Sequence, residues 1–149
     1  MTQDRQAIHD LIGLYGDALI RRDAPTWRSL WTDDAEWSLV GMTASGKQDI
    51  GDMWENAMAG FPFAVHVAHP VLVVVEGDTG RGRWYIQEIL REPDGPAVSA
   101  FGVYTDRYEK VDGQWLFSYR RFDLMHRAPL SEEGMTLMPY PEDLNYRFE

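Results

Sequence analysis

The feature that most limits the fold is a change of hydrophobic period near residue 60. From there the chain runs through four long stretches, Phe63 to Glu76, Gly80 to Glu92, Val98 to Lys110 and Gln114 to Met125, all rich in Val, Tyr, Phe and Trp. Turn chemistry separates them at Glu76-Gly-Asp-Thr-Gly80, Pro93-Asp-Gly-Pro96 and Val111-Asp-Gly113. Strands joined by turns this short pair side by side and antiparallel. Upstream the period is helical. Ile8, Leu11, Ile12, Tyr15 and Leu19 recur at steps of three and four, which predicts an amphipathic helix over 4–22 capped by Thr2 or Asp4. Asp23-Ala-Pro25-Thr26 interrupts it, and a short second helix follows through Trp27, Leu30 and Trp31. Asp33 to Val40 reads as a short strand, and a third helix spans about Gln48 to Ala59. Three helices followed by a four-strand meander predict an α+β fold with a mainly antiparallel sheet, in one domain of 149 residues.

Composition narrows the function. Without cysteine there is no disulfide, thiol nucleophile or cysteine-ligated metal. Fourteen Lys and Arg against 24 Asp and Glu leave a formal charge of −10, the wrong sign for a nucleic-acid backbone or an anionic membrane. The polar start and a longest aliphatic run of five residues, Val71 to Val75, predict a soluble, cytoplasmic protein. Residues 128–149 lose all period and carry five acids, one arginine and three prolines. They read either as a frayed tail or as an arm folded back over the cavity or a subunit interface. The arm is favoured by Leu137, Met138, Tyr140, Leu144, Tyr146 and Phe148.

Three residues stand out as candidates for chemistry. Asp23 falls four residues beyond Leu19 on the apolar stripe of the first helix, so its carboxylate is either a cap for the second helix or an inward-facing group that needs a partner. His66 alternates with Ala64 and Ala68, away from Phe63, Val65 and Val67. A ring flanked by alanines has space in front of it for a ligand, although a structural histidine fits the same pattern. Tyr15 shares the stripe with Asp23. His69 has the opposite parity unless Pro70 marks a bulge, and no third ligand turns the two histidines into a metal site. Arg107, Arg120, Arg121 and Arg127 read as partners for the acid excess.

The segments Ala7-Ile-His-Asp-Leu, Tyr15-Gly-Asp-Ala-Leu-Ile-Arg-Arg-Asp23, Leu30-Trp-Thr-Asp-Asp-Ala-Glu-Trp37 and Val103-Tyr-Thr-Asp-Arg-Tyr-Glu-Lys-Val-Asp-Gly-Gln-Trp115 together resemble the nuclear transport factor 2-like superfamily, in its SnoaL-like and scytalone dehydratase-like branch. The resemblance covers roughly residues 5–127. It implies three helices wrapped on a strongly curved sheet as a cone enclosing an apolar cavity. The branch contains dehydratases and a dehydrochlorinase that use an Asp–His dyad in that cavity. The resemblance places the orienting acid at Asp23 and the general base at His66, with Tyr15 the best match for a tyrosine hydroxyl, and a leaving-group arginine falls near Lys110.

A dyad of this kind needs no metal or organic cofactor. Imidazole can be neutral and basic near neutral pH, and a carboxylate on one ring nitrogen fixes the tautomer and supports the charge that forms. The other nitrogen then takes a proton from carbon while a neighbouring hydroxide or halide leaves. The expected function is therefore a small-molecule lyase acting on an apolar aromatic or alicyclic substrate. The alternatives are a cofactor-free isomerase in the same cavity and a non-catalytic ligand-binding or assembly subunit. Aromatic residues on both faces of the sheet, Trp84, Tyr85, Phe101, Tyr104, Trp115 and Phe117, predict a homo-oligomer, dimer or trimer.

Overall fold

In a computed structural model, which describes residues 2–141, three helices pack against a six-stranded sheet. The elements are α1 (Gln3–Arg21), α2 (Ala24–Ser29), β1 (Trp31–Leu39), β2 (Met42–Ser45), α3 (Lys47–Ala59), β3 (Phe63–Glu76), β4 (Thr79–Arg91), β5 (Ala97–Val111) and β6 (Gln114–Pro129). The sheet order is β2-β1-β6-β5-β4-β3. β1 runs parallel to β6, and every other pairing is antiparallel. The α+β class and the four-strand meander are as expected. The added strand β2 forms a hairpin with β1, turning through Val40 and Gly41, both at positive φ.

Local chemistry explains the helical half. Thr2 caps α1 by accepting from the Arg5 N–H at 3.3 Å. Asp4, the other candidate cap, instead accepts from Lys110 Nζ at 2.8 Å and from the Trp115 indole at 2.9 Å. It thereby ties the start of α1 to the β5–β6 hairpin. α1 stops at Arg22, which adopts a left-handed conformation with φ 58°. Its guanidinium donates to the Met58 carbonyl at 2.5 Å and to the Phe61 carbonyl, fastening the α1–α2 corner to the end of α3.

The core lies between the helices and one face of the sheet. Ile8, Leu11, Ile12, Tyr15 and Leu19 of α1 are all buried, so the stripe read from the sequence is the face that packs. Trp27 stacks flat on Trp54 with ring centroids 4.6 Å apart, joining α2 to α3, and Trp31 and Trp37 close the cluster from β1. Of the six sheet aromatics expected to fill both faces, Trp84, Tyr104, Trp115 and Phe117 are buried within the chain itself. Tyr85 and Phe101 stack on each other at 6.1 Å, each half-buried.

Beyond β6 the chain is irregular to residue 141. Glu132 bonds the Ala97 N–H at 3.3 Å and the Arg91 guanidinium. Met138 to Pro141 form one wall of a groove against Ile20, Arg21 and Arg22 of the α1 end and Phe63 to Val65 of β3. Leu144, Tyr146 and Phe148 lie outside the described residues. No helix among the described residues is long and apolar enough to cross a membrane.

Candidate active site

The inward face of the sheet carries a buried line of polar side chains. His66 on β3 is one. Glu88 sits directly across from it on β4, and Ala100 lies across from Glu88 on β5. The Glu88 carboxylate accepts from His66 Nδ1 at 3.0 Å. A carboxylate partner holds the ring proton on Nδ1, which leaves the Nε2 lone pair available as a base. The His66 side chain is 1% exposed and that of Glu88 17%.

Tyr15 reaches the same place from α1. Its ring lies 5.5 Å from the His66 ring, and its hydroxyl meets the Tyr104 hydroxyl at 3.4 Å. Burial pushes both phenols above their usual range, Tyr104 the further, against the pull of the Arg120 charge. At neutral pH both are therefore protonated hydroxyls, able to donate a hydrogen bond.

Arg120 lies beneath them, fully buried. Its guanidinium carbon stands 3.7 Å from the Tyr104 ring centroid, 4.3 Å from Tyr15 and 4.5 Å from Phe117. Nε donates to Asp106 Oδ1 at 3.0 Å and Nη2 to Asp106 Oδ2 at 3.3 Å. The Tyr108 hydroxyl donates to the same carboxylate at 2.8 Å and accepts from the Trp84 indole at 2.7 Å. Gly82 makes this possible, because a Cβ there would stand 2.7 Å from the Tyr108 oxygen. Burial pushes the Asp106 carboxyl up to about 6, opposed by Arg120 and the Tyr108 hydrogen bond.

A pocket of about 380 Å³ opens against this line, between α1, the β1–β2 hairpin, α3 and the sheet. Its wall is largely apolar: Leu19, Trp37, Leu39, Trp54, Met58, Leu90, Phe122 and Leu124. The polar members are Tyr15, Glu88, Tyr104 and Arg127. Arg127 is engaged by the Glu92 carboxylate.

The structure brings His66 and Tyr15 together and gives Asp23 other partners. Asp23 caps α2: Oδ1 accepts from the Thr26 N–H at 3.1 Å, and Oδ2 accepts from the Thr26 hydroxyl at 2.8 Å and from Arg21 at 3.5 Å. The carboxylate bonded to His66 is Glu88. A signal for it was present, since Glu88 continues the period-two series Trp84, Ile86 into the inward face. His69 is exposed and meets Gln87 at 3.2 Å, on the outward face. The bulge on β3 falls between Pro70 and Leu72, too late to re-aim it.

Lys110 belongs to the Asp4 contact at the far end of α1, and the buried cation beside the tyrosines is Arg120. Strict alternation from Trp115 and Phe117 points Arg120 outward. The register runs Tyr108 to Phe117 and then Arg107 to Tyr119, so Ser118 is an extra residue that inverts the parity and turns Arg120 inward.

Comparison with known proteins finds relatives in both sequence and fold. Gamma-hexachlorocyclohexane dehydrochlorinase of Sphingobium indicum is 31% identical over 134 residues, covering 85% of this chain and 84% of that protein. The solved structure of a hexachlorocyclohexane dehydrochlorinase, LinA type 2, superposes with a TM-score of 0.82 at 26% identity, covering 91% of this chain and 93% of that one. The LinA-type3 enzyme of Novosphingobium barchaimii gives 0.81 at 26% identity, covering 92% and 95%. The family model for the SnoaL-like domain matches residues 1–121, most of the chain, and this chain belongs to the SnoaL-like family.

Proposed function

We propose that the chain is a cofactor-independent small-molecule lyase working in the apolar pocket. The observation that carries this reading is the Glu88 carboxylate at the pocket wall, bonded to the buried His66 and flanked by two protonated tyrosine hydroxyls. The related dehydrochlorinases, named for eliminating hydrogen chloride from hexachlorocyclohexane, support the reaction class.

His66 Nε2 takes a proton from a substrate carbon. The C–H electron pair becomes the second bond of an alkene, and a neighbouring hydroxide or halide departs with its bonding pair. Glu88 holds the imidazole and offsets the positive charge that forms on it, the task the family resemblance gives to Asp23. The Tyr15 hydroxyl donates to the departing group. Asp23 acts through the α1–α2 corner, where its caps and Arg21 contact set the angle at which α1 presents Tyr15. General-base catalysis of this kind supplies about 10²–10⁴-fold, and positioning in the pocket adds to it.

Isomerisation in the same pocket is the second reading. It is favoured by Glu88, a second dissociable acid at the wall that could return the proton to another carbon. The test is product analysis with purified protein and a panel of chlorinated and hydroxylated cyclohexanes. The lyase reading expects an alkene with one equivalent of chloride or water released. An isomer formed without any released group would replace it with the second reading.

A further inference from the structure

We propose that Glu88 makes the pocket selective for ligands that carry a hydroxyl group, an alicyclic or aromatic alcohol in preference to its halogenated counterpart. The inference rests on reading this pocket as the reaction site. It begins from an asymmetry within the His66–Glu88 pair. Glu88 lines the pocket with its side chain 17% exposed, whereas the His66 side chain is 1% exposed and is not among the residues that form the wall. An entering ligand meets the carboxylate first.

That carboxylate has spare capacity. Oε1 accepts from His66, and among the described residues Oε2 has no hydrogen bond. Of the other polar groups of the wall, the Tyr15 and Tyr104 hydroxyls share one hydrogen bond, which leaves one O–H donor, and Arg127 is engaged with Glu92, so Glu88 offers the free acceptor. The remaining wall is apolar. A ligand that fills the pocket strips water from Oε2. A hydroxyl replaces that water with an O–H donor on the carboxylate. A chlorine in the same position offers no donor and sets its lone pairs against the oxygen. A buried acceptor left without its partner is costly, so a site built to hold a hydroxyl rejects the analogue lacking one far more strongly than an apolar site discriminates by shape.

The experiment compares 4-tert-butylcyclohexanol with 1-chloro-4-tert-butylcyclohexane, a pair of matched shape that is transparent where tryptophan absorbs. Binding is followed by the fluorescence of the wild-type protein, in which Trp37 and Trp54 line the pocket. The proposal expects the alcohol to bind about tenfold tighter or more, as one charge-assisted hydrogen bond gives. In Glu88→Leu the preference should shrink to about twofold or less, and in Glu88→Gln it should fall to an intermediate value. Far-UV circular dichroism checks the fold of each variant. If Glu88→Leu does not fold, Glu88→Gln decides. Equal or tighter binding of the chloride, an alcohol preference unchanged in the folded variants, or binding of neither compound would overturn the proposal. The readout is affinity and not turnover. A Glu88-dependent alcohol preference with no elimination from any substrate would keep this inference and discard the lyase.

Discussion

Replacing Arg120 with methionine tests how the polar line under the pocket is held. Methionine keeps much of the volume and removes the charge. It strips Asp106 of two donors, at 3.0 and 3.3 Å, and leaves the carboxylate with only the Tyr108 hydroxyl. Two unit charges about 3 Å apart attract by about 5–6 kcal/mol at an effective dielectric near 20. Removing one partner of such a buried pair costs about 3–5 kcal/mol in practice. Loss of the guanidinium from the faces of Tyr104 and Tyr15 adds about 1 kcal/mol. Urea denaturation should therefore show Arg120→Met destabilised by about 4–6 kcal/mol at pH 8. The loss should shrink at pH 5. Asp106 already titrates about 6 in the folded protein, above its ordinary 3.8, so its folded form is favoured by protonation and loses stability as pH rises through that value. Below it the carboxyl is largely neutral and needs Arg120 less. The double variant Arg120→Met with Asp106→Leu should recover most of the stability, because no charge is left unpaired. A single variant within about 1 kcal/mol of wild type, or a loss that does not change between pH 5 and 8, would refute the assignment of this pair as buried and coupled.

Asp23→Ala removes the cap of α2 and should cost about 1 kcal/mol, read as a few degrees in melting temperature; Asp23→Asn, which keeps an acceptor for Thr26, should cost less. Trp27→Ala breaks the stack on Trp54 in the fully buried cluster and should cost about 3–5 kcal/mol by urea denaturation. The outward face, with Tyr85 stacked on Phe101 and with Val67 51% and Leu72 59% exposed, should pair copies of the chain, so light scattering at micromolar concentration should report a mass at least twice 17.2 kDa.

The fold was legible where side-chain period reports burial directly. The α1 stripe, the turn residues and the long β stretches locate α1, α3 and the meander to within a few residues, and His66 was found because alternation with alanines turned it inward. What escaped was set by register. Arg120 faces the core only because Ser118 is an extra residue on β6, and one inserted residue inverts every side chain after it. Glu88 escaped because a lone carboxylate at the end of an inward series gains meaning only from the residue opposite it, and cross-strand pairing is not a property of one segment. Asp23 shows the converse. Of the two readings its position allowed, an inward-facing group or a cap for the second helix, the structure shows the cap, made to Thr26 three residues on.

A lyase working in this pocket needs His66 as the proton acceptor of the elimination. The most direct measurement is the rate of chloride or water release by wild type and His66→Ala, each shown by circular dichroism to be folded, with the substrate that wild type turns over fastest. His66→Ala should lose about 10²-fold or more in kcat. Release by the folded variant at the wild-type rate would contradict it.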